Sequence, residues 1–97
     1  MTQAELHSLL RDCLVLWEVE ARLESEEEGI VLTAPAGRFE IAALPADRHP
    51  ARWQLQTPAR TAAGRPARLH PSITALLSAL RNELGANMGN RLRVTQA

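Results

Sequence analysis

The spacing of apolar residues changes character along the chain. Leu6, Leu9, Leu10, Cys13, Leu14, Leu16, Trp17, Ala21 and Leu23 fall within about half of a helical wheel at ~100° per residue. Thr2 and Glu5 have the spacing of a capping box, so a helix is predicted to open at residue 2 or 3. The second part of this stretch also carries a rival pattern. Val15, Trp17, Val19, Ala21 and Leu23 alternate with mostly polar neighbours, as in a strand. The join at Arg11-Asp12-Cys13-Leu14 offers no Gly, Pro or Asn to stop a helix, and the Glu-rich residues that follow favour helix intrinsically. One long helix to about residue 24 is therefore the expectation, with a strand over 15–23 as the alternative.

Beyond Ser25-Glu26-Glu27-Glu28-Gly29 the pattern becomes that of strands. Ile30 to Thr33 is the first, Pro35-Ala36-Gly37 a tight turn, and Arg38 to Leu44 the hairpin partner with Phe39, Ile41 and Ala43 on one face. After a loop from Pro45 to Pro50, Ala51 to Thr57 sets Trp53, Leu55 and Thr57 against Arg52, Gln54 and Gln56. Pro58 to Arg68 shows no period, and 58–70 is expected to be a mobile loop. Pro71 opens a second helix whose stripe is Ile73, Leu76, Leu77, Leu80 and Leu84, and Gly85 is its expected stop. The polar segment 86–97 is expected to fray, with Arg91-Leu92-Arg93-Val94 as an optional edge strand.

The order α-β-β-β-α, with an optional last β, predicts an α+β fold: a small antiparallel sheet covered on one face by two helices. The other sheet face stays open. Either Ile30 and Leu32 or Val31, together with Ala42 and Leu44, then place apolar atoms where a partner reaches them.

The chain has 97 residues, 45% of them apolar, which fits one domain with a thin core and is too apolar for disorder. No run approaches the ~18 apolar residues of a membrane span, and Met-Thr-Gln-Ala-Glu does not open like a signal peptide, so no membrane association and a cytoplasmic location are expected. The single cysteine excludes an internal disulfide framework. All eleven basic residues are arginine; an Ala- and Arg-rich chain without lysine fits a GC-rich bacterial genome.

The formal net charge of zero conceals a split. Residues 1–47 carry three arginines against ten carboxylates, a net of −7, and residues 48–97 carry eight arginines against Glu83 alone, a net of +7. Either the halves fold against each other and neutralise, or they form poles that suit a charged partner. Overall neutrality argues against a histone-like polyanion binder.

No catalytic constellation is apparent. His7, His49 and His70 form no metal-ligand spacing, Cys13 lies on the apolar stripe away from any base, and Ser72 and Ser78 lack a nucleophile elbow. No phosphate-cradling glycine loop occurs, and no cofactor or metal is expected. The candidate binding groups are Arg48, Arg52, Arg60, Arg65 and Arg68, which lie on one strand and its flanking loops. The candidate acidic partner surface is Glu18, Glu24, Glu26, Glu27 and Glu28.

The element order resembles that of the double-stranded-RNA-binding domain, although Pro71 to Leu84 holds only Arg81 where that family has a basic motif. The acidic first helix followed by Val31-Leu32-Thr33 and Trp53 is similar to frataxins over those short pieces. Neither resemblance carries a functional residue across. The sequence therefore leads to a small non-enzymatic binding or adaptor module that works by protein–protein contact, as a homodimer. Anion or nucleic-acid binding through the arginines is the alternative.

Overall fold

A computed structural model describes the backbone of residues 1–96 and the side chains of residues 1–85. The elements are α1 (Gln3–Leu16), β1 (Arg22–Glu26), β2 (Gly29–Ala34), β3 (Gly37–Ala43), a 3-10 turn at Ala46–Arg48, β4 (Trp53–Gln56), α2 (Pro58–Ala62), β5 (Arg68–His70) and α3 (Ile73–Gln96). The fold is α+β, with helices packed on a five-stranded antiparallel sheet.

The first helix starts where its capping box places it. The Thr2 hydroxyl accepts from the Glu5 N–H, and the Glu5 carboxylate accepts from the Thr2 N–H, each at 3.1 Å. Hydrogen bonding to the carboxylate by the Thr2 backbone N–H, and then by the Thr2 side chain, holds the Glu5 carboxyl below its ordinary pKa. The helix stops at Leu16 rather than near residue 24. Val19 N–H reaches back to the Leu14 carbonyl (3.0 Å) and Glu18 N–H to the Val15 carbonyl (3.1 Å), which is the paired bonding of a Schellman motif. The left-handed residue of that motif is Glu18, at φ 58°. A glutamate gives no sign in the sequence that it will take a place usually filled by glycine. Leu23 and its neighbours are then free to alternate as β1, a strand that shares only Arg22 and Leu23 with the rival pattern over 15–23 and runs on through Ser25 and Glu26, which the sequence marks as a break.

Five strands form instead of three because both sheet edges gain one. The order β1-β2-β3-β4-β5 is a meander, each strand pairing with the next. The segment expected as a mobile loop contains α2 and β5. Thr57 caps α2 through its hydroxyl, which accepts from Arg60 N–H at 3.2 Å, and Pro58 occupies the first helical position. Arg68 then pairs with Leu55 and His70 with Trp53. Pro71 lies just before α3, whose cap is Ser72: its hydroxyl accepts from Ala75 N–H at 3.1 Å. The helix does not stop at Gly85. Gly85 keeps a negative φ and α3 continues to Gln96, so Arg91 to Val94 are helical and form no edge strand.

The register sorts the strands into two faces. Leu23, Leu32 and Phe39 lie in one row, and Ile30, Ile41 and Leu55 in another. These point to the helices, where Leu6, Leu10 and Leu14 of α1 and Leu76, Leu80 and Leu84 of α3 close the core with Trp53. Full burial of each such side chain contributes about 1.5–3 kcal/mol relative to exposure. The helix α1 packs on β1 and β2, and α3 on β4 and β5. The other face of the sheet carries no helix layer from these two elements.

Candidate interaction surface

Alternation along each strand sends every second residue to the open face. The paired positions give three rows across it. Arg22, Thr33 and Arg38 form the first; Glu24, Val31, Glu40 and Gln56 the second; Glu26, Gly29, Ala42, Gln54 and Leu69 the third. Of the two apolar sets expected there, Val31, Ala42 and Leu44 take the open face, whereas Ile30 and Leu32 are in the core.

The small residues of the third row shape this face. A Cβ on Gly29 would collide with the Ile41 carbonyl oxygen and sit 3.2 Å from the Ala42 Cβ. The backbones are therefore close, and a depression of about 730 Å³ opens over them, bordered by Glu26, Glu28, Glu40, Leu44 and Gln56. Val31 is 7% exposed although it lies on the open face, flanked in register by Glu24 and Glu40. Leu69, on the outermost strand, is 46% exposed.

Most of the acidic residues singled out from the sequence gather on one side. Glu24 and Glu26 lie on β1, and Glu27 and Glu28 form its turn to β2. The Gln3 side-chain amide donates to the Glu26 carbonyl and ties this turn to the start of α1. Glu18 stands apart in the link between α1 and β1. Glu40, which the sequence reading did not single out, joins the acidic row from β3. Its signal was the alternation that sets it opposite Phe39 and Ile41.

The five arginines do not converge. Arg48 ends the 3-10 turn and Arg52 directly precedes β4, at one end of the sheet. Arg60 and Arg65 lie beyond the other end of β4. Arg60 Nε donates to the Pro66 carbonyl at 2.8 Å, so it holds its own loop. The Gln56 side-chain amide donates to the Arg65 carbonyl at 2.9 Å and anchors that residue beside the open face. Arg68 pairs with Leu55, which places it on the helix side of the sheet, the side opposite Gln54.

Reactive groups are sparse in this arrangement. Burial, then the neighbouring Asp12 carboxylate, pushes the Cys13 thiol up in pKa, away from thiolate character. Burial, then the Arg68 charge, pushes the His70 imidazole down, and its Nε2 is buried without a hydrogen-bond partner. His49 and Arg52 line a second depression of about 610 Å³ at the start of α3, with Trp53 and Ser72. Among the described residues, no group of three or more His, Cys, Asp or Glu side chains is assembled as a metal site. No helix among them is long and apolar enough to cross a membrane. Comparison with protein-family models, curated proteins and solved structures gives no match.

Proposed function

We propose that this chain is a non-catalytic binding module that works by protein–protein contact, and that its first partner is a second copy of itself. The observation that carries the reading is the strand order. Because the meander follows the sequence, α1 and β1 to β3 stay on one side of the molecule, and β4, β5 and α3 on the other. Among the described side chains, the −7 of residues 1–47 and the +5 of residues 48–85 are thus neighbours rather than interleaved. Among the described residues the ion pair within reach is Arg38 to Glu40 at 3.7 Å, and it lies inside the acidic half. The opposed charges of the described residues are left for an outside surface, and self-pairing satisfies both signs at once. The spread of the five arginines gives less support to the nucleic-acid alternative, which requires a continuous basic path.

Static light scattering at high protein concentration tests this. A dimer at low salt that dissociates as salt rises is the expected result. A monomer at every salt concentration would remove the self-association reading.

A further inference from the structure

We propose that His70 is an acid-operated latch on the edge of the sheet: charging its imidazole releases β5 from β4, while α1, α3 and the sheet from β1 to β4 stay folded. The device is independent of the self-association reading above. Little besides this side chain holds β5. The strand is three residues long and ends the sheet order, so one of its edges is unpaired. Arg68 and Leu69 are exposed, and His70 is the one side chain of the three that is partly buried. None of the core side chains comes from β5. Its remaining hold is the backbone pairing with β4, next to which the Arg52 N–H donates to the His70 carbonyl at 2.9 Å.

Register fixes where the imidazole lies. His70 pairs with Trp53, which is 8% exposed and faces the helices, so the ring is on the helix side of the sheet beside the indole. Its Nε2 is buried and has no hydrogen-bond partner among the described residues. A neutral ring can leave that nitrogen as a bare acceptor. An imidazolium carries a proton on both nitrogens, and Nε2–H would then be a buried donor aimed at no acceptor.

The charges around the ring have one sign. Arg68, two residues back on the same strand, pairs with Leu55 and so shares the helix side. The helix α3, which packs on β5, turns its N-terminus toward it. There the Ser72 hydroxyl and carbonyl accept from Ala75 and Leu76 N–H, while the Ile73 and Thr74 N–H groups have no acceptor within the helix and form the positive end of its dipole. The residues of β4 carry no titratable side chain. His49 and Arg52 line the depression at the start of α3 with Trp53 and Ser72, and bring no negative charge. Among the described residues of β4, β5 and α3 the sole carboxylate is that of Glu83, exposed and about three turns into the helix, close to the exposed Arg81. Burial, then the Arg68 charge, already hold the imidazole below its ordinary pKa. Proton uptake therefore favours the arrangement in which the ring reaches water, and β5 must leave β4 to reach it. The helix α3 does not follow, because Leu76, Leu80 and Leu84 hold it on the core. Release bares the backbone edge of β4, a pairing site for an extended segment.

Amide hydrogen exchange of the full chain, followed by NMR between pH 8 and 5 and corrected for intrinsic rates, tests the latch. The His70 ring titration is read in the same samples. The reporters are the Arg52 N–H, which bonds the His70 carbonyl, and the N–H groups of Leu32 and Ile41 on the central strands β2 and β3. Protection at Arg52 should fall by up to about tenfold for each pH unit in the window below the ordinary 6.5, in step with the ring titration, while Leu32 and Ile41 stay protected. His70→Gln, neutral at every pH, should keep Arg52 protection level across the range. Constant protection at Arg52 in the wild type would overturn the proposal. An equal loss at Leu32 and Ile41 would do the same, because the whole sheet would then be opening. So would a pH-dependent loss that persists in His70→Gln. Should that variant not fold, the wild type alone decides: a change at Arg52 displaced from the ring titration would also overturn the latch.

Discussion

Replacing Glu18 by glycine should make the protein more stable. Glu18 ends α1 at φ 58°, in the left-handed region. For a residue with a Cβ that conformation costs about 1–2 kcal/mol. Glycine removes the cost but loses about 0.4–1 kcal/mol through the greater freedom of its unfolded chain. The substitution also removes a carboxylate from a helix C-terminus, where it opposes the helix dipole, a gain of about 0.3 kcal/mol at an exposed site. The net expectation is a gain of about 1 kcal/mol, which for a chain of this length raises Tm by about 4–8 °C. Thermal unfolding followed by circular dichroism at fixed protein concentration and salt measures it, since any self-association shifts Tm by mass action. Glu18→Ala separates the two contributions: it keeps the strained backbone and removes the charge, so it should stay within about 0.5 kcal/mol of wild type. An unchanged or lowered Tm for Glu18→Gly would show that the Schellman end of α1 is not strained in solution. The same result with a stable Glu18→Ala would point to a helix that runs past residue 18.

Leu10 is fully buried between α1 and the sheet, so Leu10→Ala should cost about 2–5 kcal/mol, read as a lower urea midpoint with an unchanged slope. Gly29→Ala should destabilise by about 1–3 kcal/mol, because the new methyl meets the Ile41 carbonyl oxygen; a neutral result would show that β2 and β3 are further apart than the register requires. His70 keeps a lowered pKa in the fold, whereas the unfolded chain protonates it near the ordinary 6.5. Its contribution to stability is therefore full above that pH and falls as pH drops through the window below it. Stability measured between pH 8 and 5 should show this decline, and His70→Phe should flatten it in that window; identical profiles would rule out the histidine as its source.

The parts of the fold that were legible in the sequence are those whose cause is local. The Thr2–Glu5 box marks the start of α1 because both bonds close within one turn. The alternation around Phe39, Ile41, Trp53 and Leu55 marks β3 and β4 because one face must meet the core. The acidic residues of β1 and its turn were visible as a run, although their alignment with Glu40 was not. By contrast, β5 has three residues and no period of its own. It is a strand because β4 offers an unpaired edge, and that partner is supplied only by the folded sheet. The end of α1 was missed for the opposite reason: its signal is local but carried by Glu18 at a backbone angle its residue type does not advertise.

The candidate surface divides in the same way. The sequence by itself determined that the charge is split between the two halves and that two helical stripes can cover only one face of a small sheet. It did not determine whether the halves interleave, because that depends on strand order, and strand order is a property of non-local pairing. The meander decided it by keeping neighbours in sequence as neighbours in space. Register decided the rest. Arg52, one residue before the core-facing Trp53, falls on the open face, whereas Arg68 pairs with the core-facing Leu55 and falls on the helix face, because a step of one residue along a strand turns a side chain over.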